Sequence, residues 1–192
     1  MATNELVIIG GPNGAGKTTA AFDLLPKTLP IRQFVNADEI ARGLSPFDPE
    51  GCAIAAGRIM LQRIRSLVEA RESLAFETTC ATRAHARLIR DVQELGYRVT
   101  LLFLWLPSPG AAVERVARRV REGGHQIPPD VIQRRYWMGL RNMRHLYLPL
   151  VDIAVIYDNS DSGRVLVAEC RPGARLIVRD KNRWKKIEEA TQ

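Results

Sequence analysis

Three features of the 192-residue sequence predict an α/β fold built on a parallel five-stranded sheet flanked by helices. Short apolar runs alternate with longer segments of helical period, as strands and their crossover helices do. Residues 101–106, LLFLWL, and 151–157, VDIAVIY, are almost continuously apolar, which suits strands buried on both faces. The first apolar run, ELVIIG, leads through a glycine-rich loop, GPNGAGKTT, directly into a helical segment. With 46% hydrophobic residues the chain can fill one core, so a single domain over residues 1–192 is expected.

The elements follow in order. Residues 6–10 read as the first strand and 16–25 as a helix stopped at Pro26, which lacks the N–H a helix interior needs. Residues 33–36 are a short second strand, and 37–42 a helical turn closed by Gly43. The clearest helix is 50–71, where Met60, Leu61, Ile64, Leu67 and Val68 fall at steps 0, 1, 4, 7 and 8 and form one buried stripe. Residues 74–77 are the third strand, 82–95 a helix ended by Gly96, and 98–106 the fourth strand. A helix over 109–121 runs into Gly123-Gly124, and another spans 129–145 with Ile132, Tyr136, Leu140 and Met143 on its buried face. The fifth strand is 151–157. Residues 164–170 and 175–178 then read as two short strands around Pro172-Gly173, and an amphipathic piece runs on from Arg183.

Charge is unevenly placed. The chain carries 28 basic and 21 acidic residues, a net charge of +7. Residues 115–144 alone hold eight arginines (115, 118, 119, 121, 134, 135, 141 and 144) against Glu122 and Asp130. Such a cluster points to a polyanionic partner (a nucleotide, a phosphate or a nucleic acid), the alternative being solvated helix faces. Cys52, Cys80 and Cys170 follow no metal or redox spacing, and a sparse, odd count suits a reducing compartment. The N-terminus lacks a basic segment with a cleavage site, and the longest apolar run is too short to cross a bilayer. A cytoplasmic location with no membrane partner is the expectation.

The glycine-rich loop carries the chemistry. GPNGAGKT, residues 11–18, fits G-x-x-x-x-G-K-[ST] without mismatch, and it lies between a strand and a helix as a phosphate loop must. Gly14 and Gly16 permit backbone conformations that side chains forbid, so successive N–H groups can converge on an anion. The helix start adds its positive dipole end. Lys17 can reach the outer phosphates and Thr18 can place its hydroxyl on Mg²⁺. Gly11, Pro12, Asn13, Gly14, Ala15, Gly16, Lys17, Thr18 and Thr19 are therefore the expected ATP-binding residues of a P-loop NTPase, with Thr18 the metal ligand and ATP and Mg²⁺ the cofactors.

Two acids fall at the carboxyl ends of neighbouring strands, where ligands bind in open parallel sheets. Asp38 follows the second strand in FVNADE, and Glu77 ends the third in FETT. A phosphotransferase needs a carboxylate to orient an attacking hydroxyl and accept its proton. Asp38 is the better base and Glu77 the better second acid, for metal or substrate. The plain alternatives are an acid beside a helix dipole for Asp38 and a buried, backbone-satisfied acid for Glu77. The fourth strand ends in Leu106-Pro107 with no Walker B acid, which weakens the case for a motor-type ATPase. The helices on either side of Gly123-Gly124 suit a lid over residues 115–135 that brings arginines to phosphates. On the first, Val113, Val116 and Val120 are buried, leaving Arg115, Arg118 and Arg119 more exposed; on the second, Arg134, Arg141 and Arg144 lie nearly opposite the buried face. His125 sits in the hinge, either contacting substrate or solvated, while His85 and His145 read as structural.

The segments GPNGAGKTT, FVNADEIARGLSP, AGRIML, FETT, GYRVTLLFLWL, RVARRVREGGHQIPPDVIQRRYWMGLRN and YDNS together resemble the zeta-toxin family of P-loop kinases, in its short, free-standing form. The resemblance implies a nucleoside-monophosphate-kinase-like core. It also implies transfer of the γ-phosphate of ATP to the 3′-hydroxyl of UDP-N-acetylglucosamine. It puts the catalytic base at Asp38, the phosphate-loop lysine at Lys17, and two lid arginines at Arg119 and Arg134, with Arg121 and Arg135 as rivals. The chloramphenicol phosphotransferases look similar in the loop and the following aspartate, which leaves another hydroxylated acceptor open.

The first reading is thus an ATP-dependent small-molecule kinase with Asp38, Lys17, Arg119, Arg134 and Glu77 as catalytic residues. A nucleic-acid-binding protein or polynucleotide kinase is the alternative, motivated by the arginines but without an aromatic platform. A nucleotide-gated interaction protein is a third. The sequence identifies no antitoxin partner.

Overall fold

A computed structural model describes residues 3–28, 31–124, 126–160 and 163–192. Along the chain run β1 (Glu5–Gly10), α1 (Lys17–Thr28), β2 (Gln33–Val35), α2 (Ala37–Leu44), α3 (Ala53–Glu69), β3 (Leu74–Thr78), α4 (His85–Glu94) and β4 (Arg98–Trp105). They are followed by α5 (Pro109–Arg121), α6 (Pro129–Asn142), a π-helical turn (Met143–Tyr147), β5 (Ile153–Asp158), β6 (Val165–Cys170), β7 (Ile177–Val178) and α7 (Lys181–Glu189).

The strands form one sheet in the order β2-β3-β1-β4-β5-β6-β7. The first five in that order are parallel, as expected. The expected five-stranded sheet is extended to seven, because β6 and β7 add to its edge antiparallel. The tail strands could join only this way: the turn from β5 into β6 is short, and a parallel return would need a crossover of a dozen or more residues.

β1 is buried along its whole length, and its side chains alternate between two cores. Leu6 and Ile8 enter the main core, while Val7 and Ile9 meet Ala21 and Leu25 of α1. A strand covered on both faces must be apolar at every position, which explains the unbroken LVII run. The α3 stripe behaves as its spacing predicts: Met60, Ile64, Leu67 and Val68 are buried. Ile132, Tyr136, Leu140 and Met143 are buried as well.

Several boundaries differ from the sequence reading. α1 passes Pro26 and ends at Thr28, although Pro26 has no N–H to give the Phe22 carbonyl, so the proline marks the helix end only to within two residues. α3 begins at Ala53, because Asp48 accepts from Gly51 N (3.0 Å) and holds the preceding residues in a turn. The helix expected over 129–145 changes at Met143 into a π-helical turn. Chain following a widened turn is rotated relative to a regular helix, and here Tyr147 is left fully buried with its hydroxyl donating to Thr82 O (2.5 Å).

α6 is seated unusually close to the loop after β3. A Cβ on Gly139 would lie 2.2 Å from the backbone oxygen of Thr79, whereas one on Gly57 in α3 would meet nothing within 4 Å. Alanine is worth about 1 kcal/mol over glycine inside a helix. Gly57→Ala should therefore raise the free energy of unfolding in urea by about that amount. Gly139→Ala should lower it, because the helix must be pushed off the loop. A stabilised Gly139→Ala protein would show that α6 does not approach so closely.

Candidate active site

The glycine loop occupies residues 11–16, between β1 and α1. Gly11, Gly14 and Gly16 have φ of +143°, +75° and +78°. A Cβ on Gly11 would come 2.3 Å from Leu104 O, so both conformation and space exclude a side chain there. Backbone amides that converge inward leave carbonyls facing out, and the structure supplies donors for three of them. Lys17 Nζ donates to Pro12 O (3.0 Å), Asn159 Nδ2 to Ala15 O (2.7 Å), and Arg115 Nη1 to Gly14 O (3.5 Å). Asn13 is buried, and its Oδ1 has no hydrogen-bond partner among the described residues. A half-turn of that amide would present its NH₂ instead, which suits an anion in the loop.

Glu77 is the hub beside the loop. The pairing of β1 with β3 sets it level with Ile9, one residue before the strand end. Its Oε2 accepts from Thr18 Oγ1 (2.6 Å) and Asn36 Nδ2 (3.0 Å), and its Oε1 lies 3.5 Å from Lys17 Nζ. The ion pair is shielded, with Lys17 6% and Glu77 10% exposed, so it is little weakened by solvent or salt. Asn36 does a second task. It is the N-cap of α2, its Oδ1 accepting from Asp38 N (2.8 Å), and this fixes the first turn that carries Asp38.

Two adjoining hollows open here. The first, of about 420 Å³, is lined by Lys17, Glu77, Asp38, Arg58, Arg135 and Thr79, among others. The second, of about 380 Å³, is lined by Asp38, Glu50, Ile127, Arg134 and Arg135. Asp38 and Arg135 border both and stand where they join. The arrangement thus brings Lys17, Thr18, Asp38 and Glu77 into one neighbourhood. Arg135 reaches the first hollow and Arg134 only the second.

The arginine-rich segment divides among several environments. Arg115, expected to be more exposed, is half-buried and also donates through Nη2 to Ser160 O (2.6 Å). Arg144, expected on the outer face, binds Glu188 and Thr191 of the C-terminal segment, and Arg141 donates to Gln192 O (3.3 Å). These contacts exist because α7 packs over that face, which the periodicity of α6 alone cannot reveal. Arg119 is half-buried, with Nε and one terminal nitrogen lacking partners among the described residues. Arg118 and Arg121 are exposed. His125 lies outside the described residues.

Sequence reasoning gave no role to Asn36 or Asn159, placed Arg115 among the more exposed arginines and read His85 as structural. The N-cap rule could have found Asn36, since it stands between a strand and a helix. His85 lines the first hollow and packs on Phe76, ring centroids 4.9 Å apart. Burial pulls its pKa from 6.5 down to about 4, so the ring is neutral near pH 7. Between those two values the unfolded chain takes up a proton that the folded chain refuses. Stability should therefore fall as the pH drops from 6.5 to about 4, by about 3 kcal/mol for this group, and not at higher pH. Urea titrations of wild type and His85→Gln across that range should show the wild type losing more; a pH-independent difference would mean that the ring is not held neutral.

For Mg²⁺, the chain offers Thr18 Oγ1 and Glu77 Oε2, two hard oxygens 2.6 Å apart beside the loop. No group of three or more His, Cys, Asp or Glu among the described residues could form a metal cage. That combination fits an ion which keeps several waters and shares phosphate oxygens. No described helix is long and apolar enough to cross a membrane.

Comparison with known proteins agrees with this geometry. A crystal structure of AvrRxo1-ORF1:-ORF2 with ATP superposes with a TM-score of 0.76 at 17% identity, covering 100% of this chain. This chain spans 65% of the length of that one. The PezAT chromosomal toxin-antitoxin system of Streptococcus pneumoniae superposes with a TM-score of 0.67 at 16% identity, covering 99% of this chain and 86% of that one. These likenesses show a shared fold, a phosphate-loop core on a mostly parallel sheet flanked by helices. An uncharacterized protein of Haemophilus influenzae is 25% identical over 134 residues, 69% of this chain and 93% of its own. The sequence model of the AAA_33 family, described as an AAA domain, matches residues 6–136, from β1 to the middle of α6. The chain belongs to this AAA_33 family of P-loop domains.

Proposed function

We propose that the chain is an ATP-dependent phosphotransferase acting on an alcohol group of a small molecule. The observation that carries the reading is the single hollow shared by Lys17, Glu77, Asp38 and Arg135. An ATPase needs the loop and its lysine. A kinase also needs an acid placed to receive a proton from an acceptor, and Asp38 lines both the hollow that holds Lys17 and the one beside it.

In this reading the backbone N–H groups of residues 11 and 13–19 and the Lys17 ammonium hold the β- and γ-phosphates. Mg²⁺ would be held by Thr18 and Glu77 and would offset charge on the phosphate oxygens. Asp38 orients the acceptor hydroxyl and takes its proton as the oxygen bonds to the γ-phosphorus. The bond from that phosphorus to the β-phosphate oxygen breaks, and ADP leaves. Arg119 and Arg134 are the proposed lid arginines. The lining of the first hollow favours Arg135 as a contributor beside them, and the two unpartnered nitrogens of Arg119 suit an anion.

UDP-N-acetylglucosamine is the acceptor proposed from the resemblance to zeta toxins. Thr78, Thr79, Thr82 and Arg58 are among the residues that line the first hollow, and their types suit the hydroxyls and diphosphate of such a molecule. The nucleic-acid reading loses support, because half-buried Arg115 and Arg144 are committed to contacts within the chain.

ADP release from ATP·Mg²⁺ should rise when UDP-N-acetylglucosamine is added. In Asp38→Asn it should fall by roughly 10²–10⁴-fold while ATP still binds. Wild-type turnover by Asp38→Asn would remove the mechanism. Turnover unaffected by that acceptor would remove the substrate and leave the other hydroxylated compounds to be tried.

A further inference from the structure

The loop's outward carbonyls are held in part from the far end of the chain. Asn159, whose amide donates to Ala15 O (2.7 Å), belongs to a turn that follows β5. Its neighbour Ser160 supplies the carbonyl that accepts from Arg115 Nη2 (2.6 Å). Both positions depend on Asp158. Asp158 Oδ1 accepts from Ser160 N (2.9 Å), closing the turn, and Asn159 N donates to Trp105 O (3.0 Å).

Asp158 is only 4% exposed, and a buried carboxylate needs a partner. Its Oδ2 accepts from Arg183 Nε (2.6 Å), on α7. Arg183 is itself oriented by Asp180, which accepts from Arg183 Nη1 (2.6 Å) and caps α7 through Arg183 N (2.9 Å). α7 lies outside residues 6–136, yet it reaches the glycine loop through two links.

We infer that Arg183 is a positioning residue for the nucleotide, acting through Asp158 to set the turn from which Asn159 and Ser160 hold the loop and Arg115. The inference rests on the kinase reading, since it needs the loop to bind a nucleotide. α7 is anchored independently, by buried Trp184 and Ile187 and by Arg144 on Glu188. Loss of the Arg183 side chain therefore leaves the helix in place and leaves Asp158 buried without its cation. The turn then rearranges, and the Ala15 and Gly14 carbonyls lose their fixed donors. A loop free to rotate its peptide units presents fewer amides to phosphate.

The test is the affinity of the purified full chain for ATP·Mg²⁺, measured calorimetrically beside the thermal midpoint. Arg183→Ala should weaken ATP about tenfold or more, as expected for a lost charge-assisted contact. Arg183→Lys, which restores the cation, should recover most of it. Asn159→Ala should weaken ATP severalfold and supplies the answer if Arg183→Ala does not fold. The double variant should be no weaker than Arg183→Ala, because both act on the same link. Unchanged affinity in Asn159→Ala, or additive losses in the double variant, overturns the inference and leaves Arg183 a structural ion pair. A wild-type chain that does not bind ATP overturns the kinase reading instead, and this inference with it.

Discussion

A peptide loop that turns its amides inward must turn carbonyls outward, and each outward carbonyl buried under the fold needs a donor. Much of the architecture around residues 11–16 follows from that requirement. The lysine of the loop serves Pro12, a helix-borne arginine serves Gly14, and an asparagine from the far side of the sheet serves Ala15. Three glycines with positive φ allow the shape, and their neighbours enforce it: Leu104 O leaves no room beside Gly11, nor Ala112 O beside Gly14. The result is a loop whose peptide units are held from both sides. Donors fixed in this way would be worth more to an anion than flexible ones, because less reorganisation accompanies binding.

The same economy of partners appears at Glu77. A carboxylate this buried would be costly alone. With Thr18, Asn36 and Lys17 around it, every strong acceptor position has a donor or a cation. The arrangement also keeps Lys17 inside the cradle. A lysine 6% exposed and shared between Pro12 O and Glu77 cannot wander to solvent, so its charge is already close to where phosphate would sit. Replacing a buried ion pair by apolar groups often costs nothing in stability. Its retention here makes most sense as a charge held ready.

The parts of this design written in local sequence were legible; those written in long-range contact were not. The loop, its flanking strand and helix, Asp38 and Glu77 each sit within a short window whose pattern states their geometry, and the structure puts them in one place. The α3 stripe was equally plain, since burial and period coincide. Arg115 was misjudged because its spacing says only that it leaves the face of Val116; that Ser160 waits there depends on β5, 45 residues later. Arg144 was misjudged for the same reason, since its partners lie on α7 and just beyond it. The sheet was read as five strands although both tail strands were expected, because a short strand's own sequence does not state which edge it pairs with. Pro26 shows the opposite error, in which a local rule was taken as an exact boundary although the helix runs two residues past the proline.

The dispersal of the arginines bears on how the site could close. Eight arginines in 30 residues suggest one positive surface, but Arg115 and Arg144 are spent on internal struts, Arg118 and Arg121 face solvent, and exposed Arg141 bonds only Gln192 O. Those left toward the hollows are Arg134 and Arg135, with Arg119 packed against Gly124 at the end of α5. A Cβ on Gly124 would lie 2.7 Å from the Arg119 side chain, so the hinge residue and the arginine share one space. Movement at the hinge and movement of that guanidinium are therefore linked. Arg134 and Arg135, by contrast, ride on α6, which Gly139 and Asn142 fasten to the loop after β3. That loop follows directly from Glu77. One set of arginines is thus tied to a hinge and the other to the strand that holds the acid. α5 is anchored as well, by buried Ala112 and Val116 and by Arg115 on the carbonyls of Gly14 and Ser160, so closure of a lid over a phosphate would have to come from the arginine side chains rather than from either helix moving as a flap.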